Sequence, residues 1–132
     1  MSNKIQFLSV VDDEPDIMCL FKDALSQIGE GRVFGFTNST LALEHFKLNH
    51  ESYSLILSDY RMPVMDGIRL LREVKSINSE VNTLLISAFD VDDKLFEECD
   101  SIDKFIQKPI SIADLINEVE VLLSNRYHCL TH

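Results

Sequence analysis

Residues 54–59 read SLILSD, an apolar run that ends in an aspartate, and three other apolar runs of the chain likewise end in a polar residue. A short apolar run bounded by polar residues is typical of a buried strand. In an open parallel sheet, ligands bind beyond the carboxyl ends of the strands. If the runs are neighbouring strands, the side chains that follow them meet in one pocket. The runs are FLSVV before Asp12 and Asp13, SLILS before Asp59, TLLI before Ser87, and KFIQ before Lys108 and Pro109.

Strand-like and helix-like periodicities alternate along the whole chain. Five βα units with short connections are typical of an α/β fold in which helices cover both faces of a parallel sheet. The chain shows no internal repeat and no linker to a second domain. We expect strands over residues 4–11, 32–36, 54–58, 82–87 and 104–107, and helices over 15–28, 39–48, 67–77, 90–100 and from 111 onward.

Two of the predicted helices have distinctive sequences. The segment 90–100 carries six acidic residues and one lysine, with few apolar side chains to anchor it. We expect a shallowly packed, mobile helix there, unless the acidic stretch only confers solubility. The last helix is expected to open with Ser111, with Asp114 three residues on in a capping-box arrangement that has Asp in place of the usual Glu or Gln.

Charge and composition limit the function classes. The chain has 132 residues, with 22 acidic and 12 basic side chains and a formal charge of −10. Such a chain repels phosphate backbones, which argues against non-specific nucleic-acid binding and suits a cation or a basic partner surface. We find no signal-peptide pattern and no apolar stretch long enough to span a membrane, so a cytoplasmic location is expected.

The cysteines predict no special chemistry. Cys19, Cys99 and Cys129 are widely spaced and form no CxxC pair, which indicates neither a disulfide framework nor a zinc site. Cys19 is interpreted as a small core residue rather than a reactive thiol.

The polar residues at the strand ends each have a structural alternative to a functional role. Asp12 and Asp13 form a hard oxygen site that suits Mg²⁺, although they could instead cap the helix that starts near Pro15. Asp59 could be only a turn residue. Ser87 and Lys108 are weak signals individually, and it is their combination at four strand ends that favours a site.

Four segments resemble the receiver domain of two-component response regulators. The resemblance extends over residues 4–124 and implies a flavodoxin-like, doubly wound fold, with five parallel strands in the order 2-1-3-4-5 and five helices. It implies a receiver domain over 1–125 and a flexible tail over 126–132, and hence a stand-alone receiver. The segments are VVDDEPDI (10–17), LILSDYRMPVMDG (55–67), LLISAF (84–89) and FIQKPI (105–110).

The resemblance also implies a metal site. Asp13 and Asp59 would bind Mg²⁺ (or Mn²⁺) directly, together with the backbone carbonyl of Arg61. Asp12 would act through a metal-bound water. Asp66 and Gly67 are interpreted as turn residues rather than as part of the site.

The resemblance implies a phosphoryl site and a switch beside the metal. Asp59 would accept the phosphoryl group, Ser87 would donate a hydrogen bond to it, and Lys108 would pair with it. The ring of Phe105 would change rotamer on activation. Ser87 stands where threonine is more usual in the family but keeps the hydroxyl.

Partners follow from the same resemblance. The donor would be a histidine kinase or a phosphotransfer protein. The output would be a changed surface on the fourth helix, fifth strand and fifth helix, read by an unknown protein partner. We expect no direct nucleic-acid or membrane contact, and a monomer or a weak phosphorylation-dependent dimer. Arg61 and Phe89 are bulky and are expected to restrict water access to the acceptor.

Three alternatives remain open to different degrees. A receiver-like module that binds partners without phosphorylation is possible, although the complete residue set argues against it. A haloacid-dehalogenase phosphatase would need an Asp-x-Asp motif, and position 61 is arginine. A flavodoxin-like FMN binder would need a phosphate-binding loop after the first strand, which the sequence lacks. The favoured interpretation is a phosphorylated signalling switch rather than an enzyme.

Overall fold

A single parallel sheet forms the centre of the protein. The computed structural model describes residues 5–29, 31–88 and 100–130. Within these residues the five strands follow the order β2-β1-β3-β4-β5, which confirms the predicted topology. The strands are β1 (Gln6–Val11), β2 (Gly31–Phe36), β3 (Tyr53–Asp59), β4 (Asn82–Ser87) and β5 (Lys104–Gln107).

Four α-helices and one 3₁₀ turn are present in the described part of the chain. The helix predicted over 90–100, and Phe89 before it, lie outside the described residues apart from Asp100. The elements are α1 (Pro15–Ser26), α2 (Ser39–Asn49), the 3₁₀ turn His50–Ser52, α3 (Gly67–Ile77) and the C-terminal helix (Ile112–Leu130).

Apolar side chains are buried on both faces of the sheet, as a parallel sheet requires. On one face, Leu55 and Leu57 of β3 pack with α1 and the C-terminal helix. On the other face, Ile56 and Val11 pack with α2 and α3. Because β3 lies at the centre and is covered on both sides, its last residue, Asp59, is held on a rigid element.

The helix starts follow the predicted chemistry. Pro15 is the first residue of α1, where a missing N–H costs nothing. The Ser111 hydroxyl accepts a hydrogen bond from the Asp114 N–H at 3.1 Å, which confirms the serine cap of the last helix. That helix continues through residues 126–130, and the domain boundary at 125 stays a prediction.

The interpretation of Cys19 as a core residue is wrong. Helix α1 packs on the sheet through Phe21, Ala24 and Leu25. Cys19 lies about 200° around the helix axis from Phe21 and is exposed. Leu20, at 49% exposed, is also outside the buried face. Among the described helices, none combines the length and the apolar character that crossing a bilayer would take.

Candidate functional site at the carboxyl ends of the strands

The register of the sheet brings the predicted site residues to one edge. Val11 is aligned with Ser58, so that Asp12 follows β1 at the level of Asp59. Asp59 is in turn aligned with Ile86, the residue before Ser87. Ser87 is aligned with Gln107, the residue before Lys108. The structure thus places the ends of β1, β3, β4 and β5 around a common space.

Lys108 joins two of the carboxylates directly. Its Nζ donates to Asp12 Oδ2 at 3.1 Å and to Asp59 Oδ1 at 3.3 Å. The Asp12 side chain is 1% exposed, that of Asp59 14% and that of Lys108 20%. Strand β4 separates β5 from β3, so the lysine reaches Asp59 across a whole strand. The ammonium is the counter-charge for a carboxylate that is almost completely removed from water.

The electrostatics of the site favour added positive charge. Burial and the negative charge of Asp12 raise the pKa of Asp59 above its ordinary value, and Lys108 offsets this only partly. Burial works to lower the pKa of Lys108, but its bonds to Asp12 and Asp59 outweigh that effect and raise it. The lysine is therefore held charged, while the carboxylates still repel one another.

Three carboxylates are close enough to hold one cation. Asp12, Asp13 and Asp59 each offer an oxygen atom, and these atoms lie within 4.8 Å of one another. Oxygen ligands with negative charge are what Mg²⁺ prefers, and it commonly keeps several waters. Asp13 is exposed, which leaves solvent access on one side. The donor set therefore fits a hard divalent ion.

Asp12 does not act as the cap of α1. Its Oδ1 accepts a hydrogen bond from the Glu14 N–H at 3.0 Å, before the helix begins. The cap position is Glu14, whose own side chain makes no capping bond. The other oxygen of Asp12 binds Lys108. The buried carboxylate of Asp12 therefore contacts Lys108 in the pocket, and Asp12 is not the cap of α1.

The turn after Asp59 is closely packed against it. The Gly67 N–H donates to the Tyr60 carbonyl at 2.7 Å. A Cβ at Gly67 would lie 2.1 Å from the Asp59 carbonyl oxygen, so a side chain there cannot be accommodated. Asp66 caps α3 by accepting from the Arg69 N–H at 2.9 Å. Both residues therefore have the turn role that the sequence predicts.

The remaining predicted residues lie around the site. Ser87 is 1% exposed at the end of β4. Phe105 lies in β5, aligned with Leu85, and packs half-buried against the core on the α2 and α3 face. Arg61 is exposed, and its guanidinium lies over the Tyr60 ring, 5.7 Å from the centroid. Lys108–Pro109 is a cis peptide bond.

Sequence reasoning missed one contact of the lysine. The Phe21 ring of α1 lies under the ammonium, with Nζ 5.9 Å from the ring centroid. An aromatic face at this distance attracts a cation. Helical periodicity correctly indicated that Phe21 is buried, but no local pattern reveals a contact with a residue on β5.

Comparison with known proteins agrees with this geometry. The sequence model of the response regulator receiver domain family matches residues 8–120 of this chain. The chain belongs to the response regulator receiver domain family. Receiver domains are signalling switches rather than true enzymes, and the Asp12, Asp13 and Asp59 cluster is this receiver's acidic pocket.

Individual relatives resemble the receiver over most of its length. Response regulator receiver protein CpdR of Brucella abortus is 33% identical over 116 residues, covering 86% of this chain and 93% of CpdR. Chemotaxis protein CheY of Bacillus subtilis is 28% identical over 116 residues, covering 87% of this chain and 95% of CheY. The crystal structure of a receiver domain protein from Clostridium thermocellum superimposes with a TM-score of 0.83 at 26% identity, covering 96% and 99% of the two chains.

Proposed function

We propose that this receiver accepts a phosphoryl group on Asp59 from a histidine kinase or a phosphotransfer protein, with Mg²⁺ bound beside it. The observation that carries the proposal is the geometry of Lys108, whose ammonium contacts Asp12 and Asp59 at once. A lysine held charged next to a partly accessible aspartate is suited to an incoming phosphoryl group. Family membership supports the same reaction.

The chemical step is an in-line displacement. An Asp59 oxygen attacks phosphorus, a P–O bond forms, and the P–N bond to the donor's histidine breaks, leaving its electron pair on the imidazole. Carboxylates act as covalent nucleophiles in this way in aspartyl-phosphate chemistry. The nucleophile and the donor are both anionic, so catalysis consists mainly of neutralising their repulsion. Lys108 supplies positive charge at the Asp59 oxygen.

The metal would be held by residues of the acidic pocket. Asp13, Asp59 and the Arg61 carbonyl would bind it directly, with Asp12 acting through a water. When bound, Mg²⁺ would neutralise negative charge on the attacking carboxylate and on the phosphoryl oxygens. Such an ion would offset the burial and the negative charge of Asp12, which raise the pKa of Asp59.

The switch would begin at Ser87 and end at the surface. The phosphoryl group adds charge and acceptor oxygens next to a buried hydroxyl, which then donates to it. Movement of Ser87 leaves room for the half-buried Phe105 ring to turn inward. The changed surface on β5 and the neighbouring helices would be read by a downstream protein in the cytoplasm. The exposed Arg61 would slow hydrolysis by restricting water.

Phosphorylation with a small donor tests the proposal. The protein is incubated with acetyl phosphate and Mg²⁺, and its intact mass is followed. We expect the mass of the wild type to increase by one phosphoryl group. No increase is expected when a chelator is added at the start, or in Asp59→Asn. The matched control is Asp66→Asn, which changes an exposed carboxylate in the same loop and should be phosphorylated like the wild type.

Two results would count against this function. An adduct that persists in Asp59→Asn would place the reaction at another residue. Folded wild-type protein that binds Mg²⁺ but gains no mass would favour the alternative, a module that binds partners without phosphorylation.

A further inference from the structure

A buried hydroxyl outside the acidic pocket contacts the loop that follows the acceptor. Ser39 is the first residue of α2 and is 2% exposed. Its Oγ donates to the Met65 carbonyl at 2.8 Å, across 26 positions of the chain. Met65 lies in the segment 60–66 between β3 and α3, the loop that also carries Arg61. The bond therefore connects α2 to the part of the site that would supply a backbone ligand.

The segment that carries Ser39 is also attached to the acidic pair. The Asp12 N–H donates to the Phe36 carbonyl at 3.0 Å, at the end of β2. Three residues later, Ser39 donates its hydrogen bond to the segment 60–66, which is called the acceptor loop below. The segment 36–39 thus connects the two halves of the pocket, the acidic pair on one side and the loop after Asp59 on the other.

The acceptor loop contains an unfavourable backbone conformation, which a hydrogen bond from another element can help to stabilise. Val64 has φ of 71°, a left-handed conformation that is unfavourable for a β-branched residue. The Met65 N–H donates to the Pro63 carbonyl at 2.8 Å, and the Gly67 N–H closes the loop on Tyr60. Those bonds join parts of the loop to each other. The Ser39 bond ties it to a different element.

Capping of α2 does not require the Ser39 hydroxyl. The Asn38 side chain accepts from the Thr40 N–H at 2.8 Å and from the Leu41 N–H at 3.1 Å. Asn38 therefore performs the capping, and the Ser39 hydroxyl is directed at the loop. Substitution of Asn38 should therefore affect the stability of α2, whereas substitution of Ser39 should affect the position of the loop.

We propose that Ser39 is a positioning residue for the cation site of this receiver. Its hydroxyl holds the loop with the Arg61 carbonyl at a fixed place relative to Asp12 and Asp13. Loss of the hydroxyl would leave Asp59 and the acidic pair in place but would let the loop move. The inference rests on the proposed function where it concerns Mg²⁺, and on the hydrogen bond alone where it concerns the loop.

Two measurements on three variants test this role. Deuterium uptake over residues 60–67 is followed without cation, and Mg²⁺ affinity is measured by calorimetry. Ser39→Ala is expected to exchange faster in this segment and to bind Mg²⁺ about fivefold more weakly, the size expected for one neutral hydrogen bond. Asn38→Ala should destabilise the helix but keep wild-type uptake and affinity. Ser39→Thr keeps a hydroxyl and should restore both.

The outcomes separate this inference from the proposed function. Wild-type uptake in Ser39→Ala overturns the role of the hydroxyl, and so does an equal loss of affinity in Asn38→Ala. If Ser39→Ala does not fold, Ser39→Gly replaces it, and failure of both shows a purely structural residue. A wild type that binds Mg²⁺ but is not phosphorylated overturns the proposed function and leaves the loop result intact.

Discussion

At the scale of single residues, Asp59 combines two opposing requirements. In the proposed reaction it must be anionic to attack phosphorus, yet burial and the charge of Asp12 raise its pKa. The folded protein therefore binds protons at Asp59 more readily than the unfolded chain does. In the window from the ordinary carboxyl pKa of 3.8 upward, this site loses stability as the pH rises. At neutral pH, the ionised side chain of Asp59 is thus a source of instability, which Lys108 reduces.

The variant Asp59→Asn tests how far the ionised carboxylate of Asp59 lowers the free energy of unfolding. At pH 7 with a chelator present, it should raise the free energy of unfolding by less than about 1 kcal/mol, because solvent screens part of the repulsion. Lys108 keeps its bond to Asp12 in this variant. The gain should shrink as the pH falls toward 4, where the wild-type carboxyl becomes protonated. Urea denaturation at several pH values measures it, and a variant less stable than wild type at pH 7 would refute the expectation.

At the scale of elements, buried hydroxyls connect α2 to the sheet. The Tyr53 hydroxyl, at the start of β3, is hydrogen bonded to Ser9 of β1 and, at 2.7 Å, to His45 Nδ1 of α2. Burial raises the pKa of Tyr53 to about 12, although the Ser9 bond opposes the shift. The His45 ring also packs against Phe34, with centroids 4.4 Å apart. Burial lowers the pKa of His45.

His45 should make stability depend on pH. Its folded pKa is depressed below 6.5, so the unfolded chain takes up a proton first as the pH falls. The stability present above pH 6.5 is then lost as the pH falls through the folded pKa. Between pH 7.5 and 5, the wild type should lose about 0.5 kcal/mol more than His45→Gln, because partial exposure limits the effect.

The control for His45 is another residue of α2. Leu48 is 85% exposed and carries no titratable group, so Leu48→Gln should keep the wild-type pH dependence. Chemical denaturation at matched ionic strength gives the comparison. Identical slopes in His45→Gln and the wild type would show that the histidine is equally protonated in the folded and unfolded chains.

At the scale of the whole molecule, the chain is acidic, and three of its carboxylates form a cluster that could hold a cation. The chain carries −10, and the three carboxylates of the pocket lie at the carboxyl ends of β1 and β3. Cation binding should therefore be linked to folding, since the unfolded chain offers no comparable cluster.

Mg²⁺ is expected to stabilise the folded receiver. At ten times its dissociation constant, the ion should add about 1.4 kcal/mol to the free energy of unfolding. Asp13→Asn should lose most of this gain, whereas Asp66→Asn, outside the pocket, should keep it. Thermal denaturation with Mg²⁺ and with NaCl of equal ionic strength measures the effect. Equal stabilisation by both salts would indicate general screening instead of a site.

Several elements follow closely from local sequence. The strands at 82–87 and 104–107 and the helix at 67–77 begin and end where periodicity and turn residues predict. Helix α1 ends at Ser26 rather than at the predicted 28. The amides of Gln27 and Ile28 bond to the carbonyls three residues back, at 3.2 and 3.1 Å, so a tight turn replaces the last helical residues. The residue at which a helix ends in this way depends on tertiary packing, which the apolar periodicity of the sequence does not specify.

The sequence by itself determined the α/β alternation, the five strands and the polar residues at four of the strand ends, because apolar periodicity and turn chemistry are local properties. The tertiary structure decided which of these residues touch. Lys108 bonds to Asp12 across 96 positions and to Asp59 across 49, and Ser39 reaches Met65 across 26. Those contacts depend on strand order and register, which bring distant segments within bonding distance only once the whole sheet has formed.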